Sequence, residues 1–209
     1  MKNSVGKTLI SIGLLLLVTA FCLTVYNILD SFRAGYSSLQ AVNVLEEKIP
    51  TQMPTIPEEV IIPDYILNPH MEMPIIRIDD YDYIGVLSIP ALELELPVMD
   101  KWSYPKLKIA PCRYSGSAYE GNFVIAAHNY VSHFGKLSSL SEGDTAFFVD
   151  VDGNVFTYKM VIQEMLKPTD MEEMLDDRWS LTLFTCTVGG KNRVVNRFER
   201  VDTLNNMYE

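Results

Sequence analysis

Two short runs in this chain of 209 residues end in side chains able to do chemistry. NFVIAAH (122–128) delivers His128 and LTLFTC (181–186) delivers Cys186, each at the end of an apolar strand-like stretch, where a barrel rim would display it. A thiol and an imidazole at one rim are a nucleophile and a proton carrier. A free thiol with a pKa of about 8.5 is only a few per cent thiolate at neutral pH, so a cysteine enzyme needs an imidazole or a fixed positive charge beside it. Arg193 offers that charge. It opens RVVNRFERV (193–201), and only residues 187–192, with Gly189 and Gly190 among them, separate it from Cys186. An antiparallel pairing of the two runs brings Cys186 and Arg193 together at one end. Arg197 shares the parity of Arg193 but lies about 13 Å farther along at roughly 3.3 Å per residue, which makes it the reserve. A guanidinium there stabilises an oxyanion or holds a substrate backbone by paired hydrogen bonds.

These residues need a scaffold of short strands. Beyond Asp79 the chain alternates β-like runs with turn residues: 83–89, 92–98, 122–127, 144–151, 155–162, 181–186 and 193–201. Seven or eight strands in about 130 residues predict a mainly β fold closed, or nearly closed, into a barrel. Asp152-Gly153-Asn154 reads as a hairpin turn, and short helices are expected at 104–109, 133–140 and 170–175.

Ahead of this β domain (80–209), residues 8–29 carry no charge and are long enough to cross a hydrocarbon core of about 30 Å as a transmembrane helix. Lys2 and Lys7 precede this span, so the cytoplasmic tail is 1–7 and the remainder is expected outside the cell membrane in a single-pass topology. A cleaved signal peptide is the alternative, but no small-x-small site precedes Ser31, and Phe21 is too bulky for a lipoprotein site at Cys22. Residues 30–79 read as a stalk helix, with Leu39, Val42 and Leu45 at helical spacing, followed by a linker holding six of the eleven prolines.

Composition removes other classes. The chain is 48% hydrophobic and 21% charged, which excludes a disordered tail or a collagen-like fibre. A formal net charge of -10 leaves no electrostatic footprint for nucleic acid. Three cysteines are too few for a disulfide framework.

The run Thr182-Leu183-Phe184-Thr185-Cys186 resembles the TLxTC signature of sortases, the membrane-anchored cysteine transpeptidases of Gram-positive cell surfaces. Asn192-Arg193 resembles their arginine strand and GNFVIAAHNY (121–130) their histidine segment, in the family's order. The likeness covers roughly 80–202. It implies an eight-stranded sortase-type β-barrel that cleaves an LPXTG-like sorting signal through a thioacyl bond to Cys186. It then passes the acyl group to an amine of a cell wall precursor or a pilin. His128, Cys186 and Arg193 would be catalytic, and Thr185 would assist the oxyanion or bind substrate. No cofactor is implied. His128-Asn129 with Phe134-Gly135 resembles class B, whereas the short segment 163–180 does not, and the class stays open.

Other residues have plainer readings. Cys112 is a semi-buried thiol, or the partner of Cys186 in a disulfide. His128 and His133 are five apart and lack a metal-site framework, and His70 is solvated in the linker. Asp170, Glu172, Glu173, Asp176 and Asp177 form a solvated acidic surface, or the calcium site of some sortases. Two other functions compete: a cysteine peptidase that only hydrolyses, and a non-catalytic tethered β-domain that binds wall polymer or a surface protein.

Overall fold

The structure, a computed structural model, describes residues 2–50 and 62–201, so the proline-rich stretch 51–61 and residues 202–209 lie outside the described residues. Helix α1 (Lys2–Lys48) runs through 47 residues without a break. It is followed by α2 (Asp64–Leu67), β1 (Ile76–Ile78), β2 (Tyr81–Ile89), β3 (Leu94–Met99), α3 (Tyr104–Leu107), β4 (Cys112–Ser115) and β5 (Phe123–Ala126). Then come β6 (Thr145–Asp150), β7 (Val155–Leu166), α4 (Met171–Met174), β8 (Leu181–Cys186) and β9 (Arg193–Arg200).

The strands hydrogen-bond in the order β1-β2-β3-β4-β5-β8-β9-β7-β6, and β6 pairs back onto β2. Eight strands therefore close into a barrel, with β1 as an additional edge on β2. This is the expected architecture, and closure leaves few open ladder edges. Alternation explains the filling: β6 reads TAFFVD with every second residue buried. Leu87, Phe123, Phe148, Phe156, Leu181 and Phe198 pack into the interior. Strands β1 and β4 were missed in the sequence because each is too short to show a period. The segment 133–140 holds only one 3-10 turn, Leu137–Ser139, since its amides turn back to earlier carbonyls, Phe134 to His128 and Gly135 to Tyr130.

The second half of α1 lies along the outside of the barrel and builds a second core there. Ala41, Val42 and Leu45 pack with Tyr83, Val86, Met99 and Cys112. Burying Val42 and Leu45 contributes about 1.5–3 kcal/mol each. The buried stripe is Ala34, Ser38, Ala41, Val42 and Leu45, whereas Leu39, expected on that face, is 57% exposed. Small residues occupy the stripe because the helix approaches closely: a Cβ on Gly35 would lie 3.0 Å from the Cβ of Ser132. The described part of the expected linker also lies on the barrel, with Tyr65 and Met73 in the interior cluster.

One polar contact locks the helix in place. The hydroxyl of Ser38 donates to the carbonyl of Ile109 at 3.0 Å and lies 3.0 Å from Nε2 of His133. Its one proton is committed to Ile109, so Ser38 Oγ accepts from the His133 Nε2–H. His133 is fully buried, and burial chiefly pushes its pKa down to about 4. The folded protein thus holds this imidazole neutral, while the unfolded chain protonates it near 6.5. Stability from this residue is complete above pH 6.5 and is lost as pH falls toward 4. Denaturant titration of the full chain in detergent between pH 7.5 and 4 is expected to show a decline that His133→Gln reduces by up to about 3 kcal/mol, at 1.36 kcal/mol per pKa unit.

Candidate active site

Strand β8 carries Cys186 at its last position and is paired on both sides. Its antiparallel ladder with β9 sets Cys186 directly opposite Arg193, as the loop length predicts. Its parallel ladder with β5 runs from Phe123↔Leu181 to Ala126↔Phe184. Two more residues in that register bring His128 level with Cys186. The extension is hydrogen-bonded: the amide of Ala127 donates to the Phe184 carbonyl at 3.3 Å, and the Thr185 hydroxyl donates to the Ala127 carbonyl at 2.9 Å. Three neighbouring backbones therefore present a thiol, an imidazole and a guanidinium at one rim. Cys186, His128 and Arg193 are all half-buried, which leaves them open to a ligand.

The loop between β8 and β9 is a tight cap. Asn192 receives the Thr187 amide on its carbonyl at 3.0 Å, and the Gly190 amide donates to the Thr187 carbonyl at 2.8 Å. Gly189 and Gly190 have φ of 82° and 71°, a left-handed pair that side chains resist. Nη1 of Arg193 donates to the carbonyls of Gly190 and Asn192, both at 3.2 Å, so the guanidinium is held at the mouth by its own loop.

Around His128 the histidine loop meets the helix. The ring of Tyr130 lies 5.0 Å from that of His128, and its hydroxyl donates to the carboxylate of Asp30 on α1. Burial pushes the pKa of His128 down, Lys108 pushes it the same way, and Asp30 opposes them. At neutral pH the imidazole is therefore mainly neutral and ready to accept a proton.

The structure revises several sequence expectations. Arg197 is not a reserve for Arg193. It is 1% exposed, and it bonds Glu164 at 2.9 Å, the Thr182 hydroxyl at 3.0 Å and the carbonyls of Glu173 and Met174. It staples the segment before β8 to the barrel. Thr185 is 4% exposed and spends its hydroxyl proton on Ala127, so that hydroxyl joins the histidine and cysteine strands and has no proton left for a substrate. Cys112 is a free, buried thiol pushed up to about 12 by burial. His70 meets Glu120 at 2.8 Å in an exposed pair. Asp176 is engaged by Arg178 at 2.6 Å and Asp170 by the Lys167 amide at 2.9 Å. Among the described residues no group of three His, Cys, Asp or Glu could hold a metal ion.

One feature of the site escaped the sequence reading. Phe184, two residues before Cys186 and on its face of β8, makes an edge contact at 5.1 Å with Tyr114, on which Trp102 stacks at 5.1 Å. This aromatic ledge continues the Cys186 face across β4. The Phe within TLFTC was its one visible signal.

A closed mixed barrel with a cysteine, a histidine and an arginine at the ends of adjoining strands defines a thiol-centred site on a β scaffold. The sequence model of the Sortase domain matches residues 87–201, more than half of the chain. The chain belongs to the sortase family. It is similar to Sortase A of Bacillus anthracis, with 29% identity over 116 residues, covering 52% of this chain and 54% of that protein. The chain thus spans about half the length of that curated relative. Its fold is similar to sortase C1 from Streptococcus suis, at 24% identity and a TM-score of 0.52 over 60% of this chain and 76% of that one. It is also similar to a Clostridium perfringens sortase D5 transpeptidase, at 20% identity and a TM-score of 0.52 over 58% and 80%.

The electrostatics around His128 are directly measurable. Histidine NMR titration is expected to place its midpoint below 6.5; Lys108→Gln removes a repelling charge and raises it, while Asp30→Asn removes the attracting one and lowers it further. Opposite signs would show that other groups control this imidazole.

Proposed function

We propose that this protein is a membrane-anchored cysteine transpeptidase that cleaves an LPXTG-like sorting signal and joins the released acyl group to an amine of a cell wall precursor or a pilin. The register that sets Cys186 opposite Arg193 and level with His128 carries this reading. The apolar run that opens α1, with its 18-residue window at mean hydropathy 2.4 and none of it buried, supports the anchor. The lysines before it support a cytoplasmic amino terminus and an extracellular barrel.

In this reading the sulfur of Cys186 attacks the carbonyl of the Thr in the signal as its proton passes to His128. Arg193 stabilises the charge that develops on the carbonyl oxygen. The imidazolium returns the proton to the leaving amine, and the peptide bond is exchanged for a thioester. An incoming amine then gives a proton to His128 and attacks the thioester. The new amide forms as Cys186 departs and is reprotonated. The aromatic ledge of Phe184, Tyr114 and Trp102 suits an apolar side chain of the signal. Thr185 keeps the two working strands in register.

The test is mass spectrometry of the full chain in detergent with a sorting-signal peptide, with and without an added amine. A thioacyl adduct on Cys186 and an amide product are expected; exclusive hydrolysis at saturating amine, or no adduct, would overturn the proposal. Cys186→Ala is expected to abolish the adduct, and His128→Ala and Arg193→Ala to slow its formation about 10²–10⁴-fold. Arg197→Ala is expected to act instead on folding, lowering stability by about 1–3 kcal/mol because it leaves the Thr182 hydroxyl and the carbonyls of Glu173 and Met174 without their donor.

A further inference from the structure

Helix α1 places the histidine loop at a definite height. The uncharged run 8–29 is 22 residues long, about 33 Å at 1.5 Å per residue, so hydrocarbon ends near Leu29. The contacts with the barrel begin at the next residue. Asp30 accepts from the Tyr130 hydroxyl, and the carbonyl of Ser31 accepts from the Ser132 hydroxyl at 3.1 Å. No linker intervenes, because the helix is continuous from Lys2 to Lys48.

Between the helix and this loop runs an apolar groove of about 980 Å³. Its walls include Thr24 and Ile28 from within the uncharged run, Phe32 and Tyr36 just beyond it, and Tyr130 and Val131 from the loop. Phe32 is 69% exposed, and Tyr36 and Val131 are 65% exposed. A groove that begins among the span residues Thr24, Asn27 and Ile28 opens into the bilayer at that end, and aromatic side chains just above it match the membrane interface. At the far end of the helix Ile49 and Pro50 share a different depression with Val155, about 30 Å from Leu29.

We propose that the histidine loop is a lipid contact: Val131, with Tyr130, Phe32 and Tyr36, docks at the boundary of phospholipid headgroups and acyl chains, and lipid fills the groove. This rests on the anchoring reading above. It places His128, three residues from Val131, at the bilayer surface, and α1 holds the barrel in that orientation as a fixed ruler. The active-site mouth therefore faces peptide bonds lying close to the membrane.

The experiment uses the full chain in phosphatidylcholine–phosphatidylglycerol nanodiscs, with Cys22→Ser and Cys186→Ala and the buried Cys112 left in place, so that the introduced thiol is the accessible one that carries a fluorophore. The thiol is introduced by Val131→Cys, Val155→Cys or Leu16→Cys in turn, and the lipid carries a nitroxide quencher either near the headgroup or deep in the acyl chain. The shallow quencher is expected to quench position 131 at least twofold more than position 155, while the deep one quenches position 16. Equal quenching at 131 and 155 with position 16 quenched would overturn the lipid contact and leave the anchor standing. No quenching at position 16 would remove both. If position 131 is instead shielded in a way that disappears on dilution to one chain per nanodisc, a second copy fills the groove and the proposal fails.

Discussion

The site depends on how strand β8 is hydrogen-bonded to its two neighbours. Paired in parallel with β5 and antiparallel with β9, it fixes both histidine and arginine against Cys186. A slip of one residue in either ladder would turn one of the three side chains to the other face, because side chains alternate along a strand. The buried bond of Thr185 to Ala127 lies just below the rim, that of Arg197 to Thr182 lies about 13 Å below it, and both oppose such a slip. Neither residue needs to touch a substrate to matter to the chemistry.

The helix is a second constraint on the same residues. Ser38, His133 and the Ile109 carbonyl form a buried lock, and Asp30 and Tyr130 form another at the edge. Both locks hold the loop that begins at His128. The imidazole that would exchange protons is thus supported by the segment that also reads as the anchor. Its burial keeps it neutral near physiological pH, and Arg193 supplies a permanent charge on the other side of the sulfur. In the proposed reaction this division of labour suits a thiol that loses its proton once and regains it once per cycle.

Much of the barrel was legible because inward residues recur with period two, as in Thr145–Asp150, because 181–186 is a mostly apolar run, and because 193–200 holds Val194, Val195 and Phe198. The strands at Ile76–Ile78 and Cys112–Ser115 were not, since three or four residues define no period and their pairing comes from neighbours distant in the chain. Arg197 was ambiguous for a related reason. Parity puts it on the face of Arg193, but only packing reveals that this depth is closed to solvent and lined with carbonyls.

What the sequence determined alone was local: an uncharged stretch of membrane length, a β-rich remainder, and a thiol, an imidazole and a guanidinium each placed at a strand end. Chain connectivity brings Cys186 and Arg193 together, because a six-residue loop permits little else. Tertiary structure decided the remainder. His128 is 58 residues from Cys186, and only the parallel β5–β8 ladder makes them neighbours. The docking of α1 was only partly legible in its pattern: Val42 and Leu45 are buried as their spacing suggested, but Leu39 is exposed and Ser38 is buried instead. The reason is physical: which face of a helix is buried depends on the shape and hydrogen-bonding groups of the surface it meets, and the barrel that provides that surface is assembled from strands far apart in the chain.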